Sequence, residues 1–466
     1  MRAGGGERRH FHLVGIGGSG LASLAAHLLL RGDRVSGCDQ KDGSLLRLLA
    51  RHGARIDLAH AAGHVTDSLD ALVYTAAAKG DHPELQAAAA RSLPAMKYAQ
   101  FLGELTRESE CVAVAGTHGK TTTTTLLTEM LAAAGLDPSA VVGGFPVSWP
   151  LPGRAGAGPH FVVEACEYDR SFLNFDPRLA LVTNVEPDHL DFFGTHDKVV
   201  DAFADFLAPR VAGRVAVLHE SAAAALHGRV AGDVQVVGES AACSARLVRA
   251  ENRHGCGRGT LRVHGHAPLA LELPIAGDHN LVDAALAATA ALELGAAPLA
   301  IEQAVRAFRG VRRRLEPVGA RDGVQFFSDY AHHPTEIRAV RQALRDSHPG
   351  ERLVVVFQPH QASRTRDFRD DFALELAAFD EVVVPNIFSV RESREGVLRE
   401  TEALVSAIAA RGRAPHRAEG LGDVFATVGR VAQQGDVVVL MGAGDIDDLA
   451  EELREAPARA REATVA

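Results

Sequence analysis

The sequence predicts an α/β protein of three domains: a Rossmann-like N-terminal domain, a central P-loop domain with a mostly parallel sheet, and a Rossmann-like C-terminal domain. Three observations predict it. Strand–glycine–helix turns stand at 15–20 and at 116–121. After the second of them, strand and helix patterns alternate, as a parallel sheet requires. The length of 466 residues fits about three domains, each with an ample core. The expected boundaries are 1–107, 108–313 and 314–466, the first falling at the polar run Thr106-Arg-Glu-Ser109.

The central turn is the most informative stretch. Val112 to Ala115 read as a buried strand, and the apolar period of 126–131 continues as a helix. Between them lie Gly116, Thr117, His118, Gly119, Lys120, Thr121 and Thr122. A strand turning through glycines into a helix aims backbone N–H groups at one spot, on the positive end of the helix dipole, where phosphates bind. Lys120 is then placed to reach β- and γ-phosphates, and the Thr121 hydroxyl to ligate Mg2+. The first glycine of G-x-x-x-x-G-K-[ST] is replaced by Val114, leaving the variant G-T-x-G-K-T-T. Only five of the 49 basic residues are lysines, so a lysine at this point of the loop is read as a nucleoside triphosphate ligand.

Two strand ends nearby carry chemistry. Glu164 closes Phe161-Val-Val-Glu-Ala165, where a carboxylate can complete Mg2+ coordination directly or through water. His189 lies among three carboxylates in Val185-Glu-Pro-Asp-His-Leu-Asp191, and a metal ligand, an orienting base and a structural imidazole all remain open for it.

In the first domain Gly15, Gly17 and Gly20 fit G-x-G-x-x-G, and Asp39 ends the following strand. NAD(P), another diphosphate-bearing ligand, or helix–strand packing alone would account for the pattern. Strands are expected at 53–56 and 71–75 and a helix at 84–91. Residues 221–270 carry little signal, and Asn252-Arg-His-Gly-Cys-Gly-Arg-Gly259 reads as a loop tip. Gly277-Asp-His-Asn280 caps an alanine-rich helix over 281–294, with His279 and Asn280 facing a base or ribose or simply capping. Val311-Arg-Arg-Arg314 is a hinge candidate, from which one arginine could reach the triphosphate. In the last domain, polar loops follow strands at 324–329, 353–357, 381–384 and 436–440 and should collect on one sheet edge.

Composition excludes several classes. A formal charge of −10 argues against nucleic acid as a bulk partner. No apolar run approaches the ~20 residues of a membrane span. The basic stretch 1–10 superficially resembles a secretion signal, but glycines at diphosphate-loop spacing interrupt the apolar run behind it. Five cysteines (38, 111, 166, 243 and 256) show no C-x-x-C and no metal spacing, which suits a reducing cytoplasm.

The motifs Gly15-Ile-Gly-Gly-Ser-Gly20, Ala115-Gly-Thr-His-Gly-Lys-Thr-Thr-Thr-Thr124, Thr183-Asn-Val-Glu-Pro-Asp-His189, Asp329-Tyr-Ala-His-His-Pro334 and Gln358-Pro-His360 stand in the order found in the Mur ligases. Over about residues 11–448 the chain resembles that family of ATP-dependent amide-forming ligases. The resemblance implies ligation of L-alanine to the lactyl carboxylate of UDP-N-acetylmuramate through an acyl phosphate, in peptidoglycan precursor synthesis. It implies ATP and Mg2+, a cytoplasmic enzyme and a monomer or dimer, with small molecules rather than nucleic acid or membrane as partners. By resemblance, 116–122 together with His279, Asn280, Arg314 and Asp329 serve ATP, and Thr121, Glu164 and His189 serve the metal. Gly15, Gly17, Gly18, Gly20 and Asp39 take the UDP-sugar. Tyr330, His332, His360 and Arg364 surround the amino acid, and Lys120, Glu164, His189, Arg314 and His332 are the catalytic set.

Two departures stand out. The family's E-A-D-E-S-D reads Glu164-Ala-Cys-Glu-Tyr-Asp169, so the role of the missing aspartate is absent or falls to Glu167 or Asp169. The family's P-H-R-x-x-R reads Pro359-His-Gln-Ala-Ser-Arg364, which removes one cation for the amino-acid carboxylate. The nearest alternative is the recycling ligase that attaches a murein tripeptide to the same UDP-sugar. An NAD-dependent oxidoreductase and a slow nucleotide switch are the readings outside this chemistry.

Overall fold

The computed structural model describes residues 8–208, 213–250, 255–389 and 392–455. Among these, the residues of Met1–Arg249, Gly259–Glu272 and Val282–Arg309 form one compact unit, and those of Ala250–Arg258, Leu273–Leu281 and Gly310–Ala466 form a second.

The first unit holds two sheets. Five parallel strands make the first: His10–Val14, Arg34–Cys38, Arg55–Asp57, Ala71–Tyr74 and Ala95–Lys97, in spatial order third, second, first, fourth, fifth. Strand order reverses beside His10–Val14, so the glycine loop that follows it opens at a topological switch point. Side chains alternate across this strand. Phe11 and Leu13 pack with Leu24, Leu28 and Phe101 on one face, while Val14 joins Cys38, Leu72, Ala87 and Ala88 on the other.

Ten strands make the second sheet. Glu110–Ala115 lies inside it, flanked in parallel by His160–Glu164 and Leu179–Val182. All three are buried on both faces and read as near-continuous apolar runs, as central parallel strands do. The two sheets of this unit share one core, in which Leu24 and Phe101 join Phe161, Phe172 and Phe203. Polar contacts add to it. Ser23 Oγ donates to Pro152 O at 3.0 Å and accepts from Val142 N at 2.9 Å, and His27 Nδ1 meets Arg154 O at 2.8 Å.

The poorly patterned region 221–270 extends this sheet with Asp233–Gly238, Ala245–Arg249, Gly257–Val263 and Leu269–Leu273. The loop expected over 252–259 lies partly outside the described residues, and from Gly257 onward it is strand rather than loop.

In the second unit, Glu316–Arg321 pairs antiparallel with Val324–Asp329. Val437–Met441, Leu353–Phe357, Glu381–Val384 and His416–Arg417 then follow in parallel. Chain order reverses around Val437–Met441, so the loops after residues 329, 357 and 441 meet at one edge. They are tied together there. Gly442 N donates to Asp329 O at 3.0 Å, Gln358 N to Met441 O at 2.9 Å, and Gln358 Nε2 to Asp445 Oδ1 at 2.7 Å. Gly442 has φ +150°, and a Cβ there would stand 2.5 Å from Gln358 O. Among the described residues no helix is long and apolar enough to cross a membrane.

Candidate active site

The phosphate loop is built as its sequence demands. Gly116 and Gly119 take φ of +138° and +79°, a region that glycine enters without steric cost. A Cβ on Gly116 would fall 1.9 Å from Thr183 Oγ1, and one on Gly119 2.5 Å from Asp283 Oδ1. The helix Lys120–Ala133 starts directly after Gly119. Its threonines 121–125 are all buried, and Thr124 and Thr125 turn their hydroxyls onto the carbonyls of Lys120 and Thr121.

The end of Leu179–Val182 staples the loop in place. Thr183 Oγ1 and Asn184 Nδ2 both donate to His118 O, Asn184 Oδ1 accepts from His118 N at 2.9 Å, and Thr117 Oγ1 accepts from Glu186 N at 2.9 Å. These partners were visible in the sequence only as members of the Thr183–His189 motif. Their role as props for the loop is a structural finding.

Lys120 folds back over the loop. Its Nζ donates to Gly116 O at 2.5 Å and Thr117 O at 3.0 Å and forms an ion pair of 3.0 Å with Glu167. Burial works to lower its pKa, but the carboxylates of Glu167 and Glu164 outweigh it and hold the ammonium above its ordinary value. Glu167 is only 2% exposed. Of the two candidates for the missing aspartate's role, it is therefore Glu167 that reaches the lysine, whereas Asp169 pairs with Lys97 at 2.8 Å. Cys166 is exposed.

Glu164 Oε2 accepts from Gly143 N at 2.7 Å, and a Cβ on Gly143 would lie 2.5 Å from the same carboxylate. His189 takes φ +52° just beyond the neighbouring strand, and its ring packs on Tyr168 with centroids 4.9 Å apart. Lys120 and Glu164 thus lie in one electrostatic neighbourhood, with Tyr168 linking the Glu167 segment to His189.

In the first sheet, Gly15 N and Ile16 N donate to Cys38 O at 2.8 and 3.2 Å. Gly18 caps the helix Ser19–Arg31, and Gly17 N donates to Asp39 Oδ2 at 2.9 Å. Gly15 has φ +81°, and Tyr98 packs 3.1 Å from where a Gly20 Cβ would be. The Asp39 carboxylate thus occupies one N–H of this glycine loop, and an anion arriving there would have to compete with it.

The second unit gathers the remaining candidates. Arg314 lies between two residues of positive φ, Arg313 (+61°) and Leu315 (+47°), conformations costly for large side chains. The surroundings hold them. Tyr330 N donates to Arg313 O at 2.8 Å, Leu315 N to Asp329 Oδ2 at 2.6 Å, and Arg313 Nη2 to Gly442 O at 2.7 Å. The Arg314 guanidinium sits 5.1 Å from the Tyr330 ring centroid. Burial, then Arg314, pushes His279 down to about 4, so its imidazole is neutral at pH 7. Asn280 Nδ2 donates to Ala276 O at 2.6 Å. His332 packs edge-on to Tyr330 at 5.2 Å and to His360 at 6.5 Å, and His360 stacks on Phe388. Arg364 is buried in the helix Ala362–Asp367 that starts after Gln361.

Burial pushes Asp329 up to about 6, against the opposing pull of Arg314 and the N–H groups of Ala331 and Leu315. A carboxyl whose folded pKa lies above its unfolded value binds its proton more tightly when folded. Its contribution to stability is then present at low pH and declines as pH climbs from about 4 through about 6. Wild type is accordingly expected to lose Tm relative to Asp329→Asn between pH 4.5 and 6.5, and the difference should be flat above that. Parallel melting curves of the two proteins across pH check this. A difference independent of pH would remove the assignment.

The chain matches three family patterns in succession: the Mur ligase family, catalytic domain, over residues 10–110; the Mur ligase middle domain over 114–292; and the Mur ligase, glutamate ligase domain, over 313–444. It is 38% identical over 460 residues to the UDP-N-acetylmuramate–L-alanine ligase of Thiobacillus denitrificans, covering 96% of this chain and 99% of that protein. It is 40% identical over 453 residues to the protein of the same name from Kineococcus radiotolerans, covering 95% of each. The crystal structure of UDP-N-acetylmuramate-alanine ligase MurC from Thermotoga maritima superimposes with a TM-score of 0.81 at 26% identity, over 96% of this chain and 98% of that one. With three domain patterns in order and relatives of this identity along nearly its whole length, the chain belongs to the Mur ligase family.

Proposed function

We propose that the chain joins L-alanine to the lactyl carboxylate of UDP-N-acetylmuramate, cleaving ATP to ADP and phosphate, as a cytoplasmic enzyme of peptidoglycan precursor synthesis. The observation that supports this most is the likeness, over nearly the full length, to relatives named for that reaction. A lactyl carboxylate oxygen attacks the γ-phosphorus and ADP departs, leaving an acyl phosphate. The alanine nitrogen then attacks its carbonyl carbon, inorganic phosphate leaves with the bonding pair, and the nitrogen sheds a proton.

Positioning and charge neutralisation carry most of such a reaction. The loop N–H groups of 116–122 would cradle the phosphates, and Lys120 would exchange Glu167 for the β- and γ-oxygens. Thr121 and Glu164 offer the hydroxyl and carboxylate oxygens that Mg2+ prefers, and the Gly143 cradle around Glu164 has no space for a Cβ. These two residues would hold the ion, with His189 also serving it. Once bound, Mg2+ supplies neutralisation of phosphate charge.

Arg314, held by its strained neighbours, would meet the triphosphate together with His279, Asn280 and Asp329. His332 Nδ1 faces two acceptors, Tyr330 O at 3.1 Å and Glu336 Oε2 at 3.3 Å. By resemblance to the family, His332 would take the alanine proton. Tyr330, His360 and Arg364 would complete the amino-acid pocket, and the Gly15–Gly20 loop with Asp39 would take the UDP diphosphate.

Coupled ADP release with UDP-N-acetylmuramate, ATP and a panel of amino acids tests the reading, with alanine expected to give the highest kcat/KM. Faster turnover of a murein tripeptide would replace it with the recycling reaction. Gly17→Val tests the first-sheet loop. Its Cβ would stand 2.8 Å from Asp39 Oδ2, and the KM for the sugar nucleotide should rise far more than that for ATP. Equal effects on the two would count against separate sites.

A further inference from the structure

On the face of the first sheet turned away from Leu13, four elements bring four metal-type donors together. His12 and Cys38 come from adjacent strands, His64 from the turn Ala62–His64, and Glu84 from the helix Pro83–Ala90. Their donor atoms all lie within 4.8 Å of one another. His12 Nε2 is 3.3 Å from Glu84 Oε2, Cys38 Sγ 3.1 Å from the same oxygen, and His64 Nδ1 2.7 Å from Glu84 Oε1. Tetrahedral zinc with N, O and S ligands has ligand–ligand edges of about 3.3–3.6 Å, from bond lengths near 2.0–2.3 Å. His12 is 1% exposed and Cys38 and Glu84 are 0% exposed.

A hydrogen-bonded network without metal leaves one atom unexplained. His12 Nδ1 is engaged by Ser36 Oγ at 2.9 Å, whereas its buried Nε2 lies 3.3 Å from Glu84 Oε2 without forming a well-directed hydrogen bond. A buried imidazole nitrogen facing a carboxylate without such a bond is costly. A cation shared by the two relieves it. The surroundings also fit. Ser36 orients the His12 ring, Ala61 N donates to Glu84 at 3.1 Å, and a cavity of about 680 Å3 lined by His10, Ser36 and Asp57 also has His12 and His64 in its wall.

We propose that His12, Cys38, His64 and Glu84 form a structural site for a divalent transition metal of the zinc type, separate from the phosphate loop. Binding displaces the Cys38 thiol proton to solvent. The thiolate and imidazoles select zinc over Mg2+. The site anchors the strand end whose Cys38 carbonyl holds Gly15 and Ile16, and whose next residue, Asp39, holds Gly17.

Co2+ is the probe. The full-length chain, stripped with a chelator, is expected to bind one Co2+ with visible tetrahedral bands and a near-ultraviolet thiolate-to-cobalt band. One equivalent of Zn2+ should bleach both, and excess Mg2+ should not. Cys38→Ser should lose the thiolate band, while Cys166→Ser should keep it. His64→Gln, at a partly exposed position, should weaken Co2+ binding by at least the ~10-fold that loss of even an outer-shell partner costs. No thiolate band in wild type, or one that survives in folded Cys38→Ser, overturns the site. If the serine variant does not fold, unchanged affinity in His64→Gln overturns it.

Discussion

Lys120→Ala is expected to lower kcat by at least about 10²–10³-fold, the loss typical when one preorganised charge aimed at the transition state is removed. The phosphate loop holds no second lysine to replace it. The structure adds a second consequence. Glu167 is nearly fully buried and its ammonium partner lies 3.0 Å away, so the alanine variant strands a buried carboxylate. Breaking a buried pair on one side costs roughly 3–5 kcal/mol, so Tm should fall as well. The double variant Lys120→Ala/Glu167→Gln removes the stranded charge and should regain much of that Tm with no recovery of turnover. Melting curves and steady-state kinetics on the three proteins separate the two effects. Near-normal turnover in a folded single variant would end the phosphate-loop assignment.

The parts of this site that were legible in sequence are those in which the local backbone dictates the residue. Gly116 and Gly119 have positive φ, and their absent Cβ atoms are spaces filled by Thr183 and Asp283. A strand, such glycines and an apolar helix are therefore readable from a dozen consecutive residues. Strands 353–357 and 381–384 were legible for a related reason. Central parallel strands are apolar on both faces and stand out as continuous runs. The region 221–270 is the reverse case. Ala245–Arg249 and Gly257–Val263 are an antiparallel pair near one end of the sheet, with buried Leu247, Leu261 and Val263 alternating with exposed Arg246 and Arg262. A period-2 signal over five to seven residues broken by arginines looks like loop.

Partners across long sequence gaps were not readable. Nothing local to Lys120 says that Glu167, rather than Glu164 or Asp169, will meet it. The shared core of the first two sheets depends on Phe101, from the helix Tyr98–Thr106, converging with Phe161, from the strand His160–Glu164. The His12, Cys38, His64 and Glu84 cluster has no spacing motif because its members come from successive crossovers of a parallel sheet, whose period is set by helix length rather than by a metal-binding loop. Scanning for C-x-x-C cannot find it. Following the inward face of adjacent strands, where His12 and Cys38 share a side, could.

Arg364→Ala is expected to cut kcat/KM for alanine by about 10- to 150-fold, while the KM values for ATP and sugar nucleotide stay nearly unchanged. A free amino acid must be fixed with its amine aimed at the acyl phosphate, and its carboxylate is the natural handle. Arginine grips a carboxylate with two parallel hydrogen bonds and does not deprotonate. The fold narrows the choice of cation further. The other carboxylate receptor on this segment would be the N-terminus of the helix Ala362–Asp367. It is already filled, because Ala362 N and Ser363 N donate to the Glu392 carboxylate at 2.6 and 3.0 Å. Arg366 faces Asp367 at 3.6 Å, and Gln361, where the family often has arginine, is neutral. Arg364, only 8% exposed, is the cation we propose for the role. Losing a hydrogen bond to a charged group costs roughly 1.5–3 kcal/mol, which gives the range stated. Arg364→Lys keeps the charge without the planar fork and should fall between wild type and alanine. Titrating alanine at saturating co-substrates against all three proteins reads this directly. An unchanged alanine KM and kcat in Arg364→Ala would show that the carboxylate is held elsewhere.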